Sequence, residues 1–119
     1  MSVDKAVASC FKGKSERGYL YTLAPDFPAF AGHFEGHPVL PAVCQMSLCA
    51  HAAGQFLDAQ TQIAQVSRAK FIKPVVPGTQ IAVNLTARGE NSFMAELSDA
   101  QTGEKISQLI FSVTRKEQL

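Results

Sequence analysis

The chain has 119 residues, 46% of them hydrophobic and 18% charged, which is enough for one folded core and too little for two. Eleven Lys and Arg against ten Asp and Glu leave a formal charge of +1, excluding a general electrostatic pull toward nucleic acid or an anionic membrane. One domain over residues 1–119 is therefore expected.

The opening Met-Ser-Val-Asp-Lys has no charged-then-apolar leader, and no apolar run nears the length of about 18 residues that a membrane span needs, so the expected location is cytoplasmic. Ala6–Lys12 and Tyr19–Leu23 alternate apolar and polar residues and are expected to be two strands joined around Gly13 and Gly18. Ala24–Leu40 follows as a long loop, because Pro25, Pro28 and Pro38 with Gly32 and Gly36 suit neither a helix interior nor a central strand. Pro41–Leu57 lacks an internal proline, starts with one, and is rich in Ala, Leu, Met and Gln; it is expected to be the one long helix. Val43, Met46, Ala50, Ala53 and Gly54 would form its inward face.

The remainder alternates with period two. Ile63–Ile72 is one expected strand, followed by three centred on Ile81, Val83 and Leu85, on Phe93, Ala95 and Leu97, and on Ser107, Leu109, Phe111 and Val113. Turns at Pro77-Gly78, Gly89-Glu90-Asn91 and Thr102-Gly103 separate them. About six strands and one apolar helix bury each other most simply when an antiparallel sheet wraps around the helix, giving an α+β fold. Cys10, Cys44 and Cys49 are odd in number and lack zinc-site spacing, so they are expected to be free thiols, with Cys44 and Cys49 of the helix packed in the core or an interface.

The densest chemistry lies in Gly32-His33-Phe34-Glu35-Gly36-His37-Pro38-Val39-Leu40-Pro41, just before the helix. Histidine titrates near neutrality and can take or give a proton, although an isolated loop histidine is more often only turn chemistry. This block, with Val43, resembles the signature of the hotdog-fold 3-hydroxyacyl-[acyl-carrier-protein] dehydratases of bacterial fatty acid synthesis. Ala69-Lys70-Phe71-x-Lys73-Pro74-Val75-x-Pro77-Gly78 is similar to a second block of that family, in the same order along the chain.

The resemblance implies a hotdog fold and removal of water from a 3-hydroxyacyl thioester to give a trans-2-enoyl thioester, in fatty acid or related polyketide or aryl-polyene biosynthesis. It implies that His33 abstracts the Cα proton and that the amide of Ala42, where the family usually has glycine, binds the thioester carbonyl. It departs at Ser47, fourteen residues after His33, where the family carries a helix Glu or Asp. A hydroxyl is a far poorer acid than a carboxyl group. His51, four residues on and on the same helix face, is placed to hydrogen-bond Ser47 or tune a water there, with simple packing as its alternative. Glu35 is a weaker candidate for a substitute carboxylate, and Gln45 resembles a position in related secondary-metabolite hotdog proteins.

Phe34, Gly36, Val39, Leu40 and Phe71 join Ala42 as the implied substrate-binding set, while His37 is expected to stiffen the loop before Pro38. Arg68, Lys70 and Lys73 concentrate positive charge and would dock an acidic acyl carrier protein, or else form an ordinary solvated strand face. The implied partners are an acyl thioester on a carrier protein or coenzyme A and a second copy of the chain, as a homodimer or a trimer of dimers. No nucleic acid or membrane partner, metal site or resident cofactor is expected. Two rival functions stand beside dehydration: an acyl thioesterase, and a degenerate acyl-binding subunit of a hotdog heterodimer.

Overall fold

Small apolar residues spaced by one and four positions open the described chain as a helix. In the computed structural model, which describes residues 3–30 and 39–116, α1 runs from Val3 to Cys10 and buries Ala6, Val7 and Cys10. This corrects the strand expected over Ala6–Lys12. Apolar residues at almost every position of that stretch satisfy both periods, and the helical one wins because Ala8 and Ser9 face outward while α1 packs on the central helix.

The hairpin follows at once, with β1 at Phe11–Ser15 and β2 at Gly18–Thr22. A bulge between Phe11 and Gly13 shifts the register. Gly18 has a positive φ, and a Cβ there would meet the Val83 backbone at 2.3 Å, so only glycine lets β2 lie flat on its neighbour. A short 3-10 turn, Pro28–Phe30, precedes the central helix α2, Ala42–Leu57. Then come β3 at Thr61–Phe71, β4 at Gln80–Ala87, β5 at Ser92–Asp99 and β6 at Lys105–Arg115.

All six strands form one sheet in the order β1-β2-β4-β5-β6-β3, and every pairing is antiparallel. The expected α+β arrangement of six strands around a long helix is what the chain adopts. Leu48, Cys49, Ala52 and Ala53 of α2 lie in the same buried cluster as Ile81, Val83, Phe93, Leu97, Leu109 and Phe111 of the sheet. The small side chains let the helix approach the strands closely, and each fully buried Leu or Phe contributes about 2–3 kcal/mol. The inward face of α2 is turned from the expected one. Ala50, Ala53 and Gly54 are buried and Met46 is half-buried, but Val43 is 64% exposed and Cys44 takes its place inside. Cys10, Cys44 and Cys49 are buried free thiols; burial pushes the Cys49 thiol up to about 12, so it stays protonated and packs as a small apolar group.

Candidate active site

Two concave regions flank α2, one at its first turn and one at its middle. The first begins where Pro41 caps the helix with extended φ and ψ of −61° and 150° and no side-chain cap. The amides of Cys44 and Gln45 donate to the Pro41 carbonyl, so the amides of Ala42 and Val43 precede the helix's own bonding. The helix dipole adds partial positive charge at this end. Across from it, the Ile72 and Lys73 amides both donate to the Ile106 carbonyl, and the Leu40 amide donates to the Val75 carbonyl at 2.8 Å. The last of these bonds holds the chain before α2 against the chain after β3, and the first two tie the latter to β6.

Between the two segments lies a groove of about 480 Å³. Val39, Leu40, Pro41, Ala42 and Gln45 form one wall, and Phe71–Pro74 the other. Phe71 is 46% exposed, whereas Leu40 is almost wholly in the core. The inner polar group is Gln45, 4% exposed, whose Oε1 accepts a 2.7 Å hydrogen bond from the hydroxyl of buried Ser107. The structure thus brings Val39, Leu40, Ala42 and Phe71 of the implied substrate-binding set into one place. Lys73 stands at the rim, paired with Glu104 at 3.0 Å; Arg68 and Lys70 are exposed on β3.

The second region is a cavity of about 570 Å³ between α1, the middle of α2 and the start of β3, lined by Val7, Ser47, Ala50, His51, Gly54 and Thr61, with Lys5 and Lys116 also on its wall. No carboxylate is among its described lining residues. Ser47 and His51 share this cavity, as their spacing predicts, but they are bonded elsewhere. The Ser47 hydroxyl donates to the Val43 carbonyl of its own helix at 3.3 Å, and His51 Nδ1 lies 2.7 Å from the Tyr21 hydroxyl. Burial pushes the His51 imidazole below its usual range and the Tyr21 phenol well above its own. Rings of Phe11 and Tyr21 pack on the imidazole, with centroids 5.1 and 5.5 Å away.

His33, Phe34, Glu35, Gly36 and His37 lie outside the described residues. Tyr21, Phe11 and the Ser107–Gln45 bond escaped the sequence reading. Only the inward alternation of Tyr19, Tyr21 and Leu23 hinted at the first of them. Among the described residues no cluster of three or more potential metal ligands occurs, and no helix is long and apolar enough to cross a membrane.

Residues 12–115 match the family model for ApeI-like proteins, described as ApeI dehydratase. A 3-hydroxyacyl-[acyl-carrier-protein] dehydratase FabZ of Chlamydia trachomatis serovar L2 is 31% identical over 106 residues, covering 77% of this chain and 69% of that enzyme. Its counterpart in Geobacter metallireducens is 32% identical over 71 residues, 52% of this chain; the chain spans 47% of that relative's length. Among solved structures, the dehydratase heterocomplex ApeI:P from Xenorhabdus doucetiae superposes with a TM-score of 0.69 at 23% identity, covering 82% of this chain and 85% of that one. An uncharacterized protein from Erwinia carotovora gives 0.65 at 26% identity, covering 88% and 90%. The sheet and helix described above are the hotdog fold.

Proposed function

This chain belongs to the ApeI-like dehydratase family, and from that premise we propose that it removes water from a 3-hydroxyacyl thioester. The observation that carries the reading is the groove at the start of α2, where apolar walls meet the amides of a helix N-terminus. An acyl thioester entering there would direct its carbonyl oxygen to the Ala42 amide, and the helix end would stabilise the negative charge that builds on that oxygen. An imidazole nitrogen of His33 takes the Cα proton. The C3–O bond breaks as the C2–C3 double bond forms, and the departing hydroxyl takes that proton from His33 to leave as water, returning the imidazole to its neutral form. Arg68 and Lys70 would receive the acidic carrier.

A dimer fits the sheet. Edge strand β3 has β6 as its one hydrogen-bonded neighbour and is exposed along much of its 11 residues, so a second β3 would extend the sheet across two copies. One observation favours a second reading, in which the partner is a different hotdog chain: the cavity holding Ser47 has no carboxylate among its described lining residues. A partner could then supply the acid.

The test is mass spectrometry of a 3-hydroxyacyl pantetheine thioester incubated with the pure protein and with a His33→Ala variant. Enoyl thioester formed only with His33 supports dehydration, free acid moves the protein to the thioesterases, and neither product favours the partner-subunit reading. Reversing charge at Arg68 and Lys70 should raise KM several-fold for a carrier-borne substrate and leave the pantetheine substrate unchanged. Equal behaviour of both substrates would remove the docking patch.

A further inference from the structure

Ser47 leaves the mid-helix cavity without the acid expected on α2, and the side chain best placed to act on a substrate oxygen there is His51. Its orientation is fixed from outside the helix. Tyr21, wholly buried on β2, brings its hydroxyl to 2.7 Å from Nδ1, while the rings of Phe11 and Tyr21 clamp the imidazole. Phe11 reaches this point from the β1 bulge and also packs on Tyr21, with centroids 5.3 Å apart. Nδ1 is the one hydrogen-bond partner of this wholly buried hydroxyl among the described residues, so the O–H is satisfied only by donating to Nδ1, which leaves the ring proton on Nε2. Nε2 lies across the ring from Tyr21.

We propose that Tyr21 is a positioning residue that holds His51 as the Nε2–H tautomer, presenting a neutral hydrogen-bond donor beside Ser47 to the oxygen that leaves C3 of a substrate seated in the groove of the second copy of the proposed dimer. The substrate part of this inference rests on the dehydratase reading above. His51 donates a hydrogen bond without surrendering its proton, so the proton transfer stays with His33. A neutral imidazole in this role needs no carboxylate next to it, which suits a helix carrying serine at position 47.

The test uses the full chain labelled with 15N. Long-range proton–nitrogen spectra near neutral pH report the tautomer of each histidine, and His51→Asn identifies the signals of His51. The wild-type protein is expected to show Nδ1 unprotonated and Nε2 protonated. Tyr21→Phe keeps the ring and removes only the hydroxyl, so it should give a mixture of tautomers and lower kcat for dehydration about tenfold, with KM little changed. Protonated Nδ1 in the wild-type spectrum overturns the proposal without any substitution, as does a tautomer that Tyr21→Phe leaves unmoved. A wild-type protein that shows the expected tautomer yet forms no enoyl product overturns the dehydratase reading and leaves the Tyr21–His51 arrangement standing.

Discussion

The two concave regions along α2 are built on opposite plans. At the first turn, apolar side chains and backbone amides line the groove, and its inner polar group, Gln45, is already tied to Ser107. At the middle, the cavity carries two hydroxyls, an imidazole and two lysines, and its shape depends on small residues, Ala50 and Gly54. Under the proposed function, the difference would separate holding an acyl chain from handling its oxygen. It also predicts that the two regions fail differently when altered.

The largest effect is expected at the cavity end. A Cβ on Gly54 would come within 2.6 Å of the Ala59 carbonyl, in the turn where Asp58 adopts a left-handed conformation and the Ala59 amide bonds back to Gly54. Gly54→Ala should therefore cost about 2–3 kcal/mol and lower Tm by about 10 °C in a thermal melt. An unchanged Tm would show that the turn yields and that the cavity floor is less rigid than the groove.

A smaller loss is expected at the groove. Ser107→Ala strips the donor from buried Gln45 Oε1 and should cost about 1–2 kcal/mol in denaturant unfolding. Adding Gln45→Leu should recover part of that loss, since both polar groups are then gone. Additive losses in the double variant would mean that the bond is not what settles this wall.

The smallest effect concerns pH. His51 has a folded pKa below its unfolded value of 6.5, so the unfolded chain binds the proton first and stability falls as pH drops through 6.5, levelling off below the folded pKa. Tyr21 faces the ring from β2, and Lys5 and Lys116 share its cavity. The Tm of the wild-type protein should fall more on acidification than that of His51→Asn. Parallel curves would place the titration elsewhere and remove this contrast between the two regions.

Much of this was legible in the sequence. Strands β4, β5 and β6 declare themselves because the larger apolar side chains of each fall mainly on one buried face, a period-two pattern that is cleanest in β5. The groove was legible as two blocks, around Val39–Ala42 and Lys70–Pro74, whose meeting in space follows from the fold. Helix α1 was not, because in eight residues so rich in small apolar side chains both periods fit and only packing on α2 decides. Val43 was misplaced because helix patterning fixes a face only to within about one residue. Tyr21 and His51 are 30 positions apart on different elements, and no local pattern announces a bond between them.

The edge position of β3 also sets an order of events during synthesis. Its partners lie from 36 residues downstream, for Phe71 and Ser107, to 54, for Thr61 and Arg115. A ribosome releases the chain from its N-terminus, so β3 emerges with neither neighbour and waits for β6 before it gains its first ladder of hydrogen bonds. Until then Phe71 and Ile72, exposed even in the folded protomer, sit beside an unpaired strand. The strand proposed to join two copies is thus among the last to be secured within one, and a nascent chain stalled before Lys105 would expose both of its edges to any neighbour.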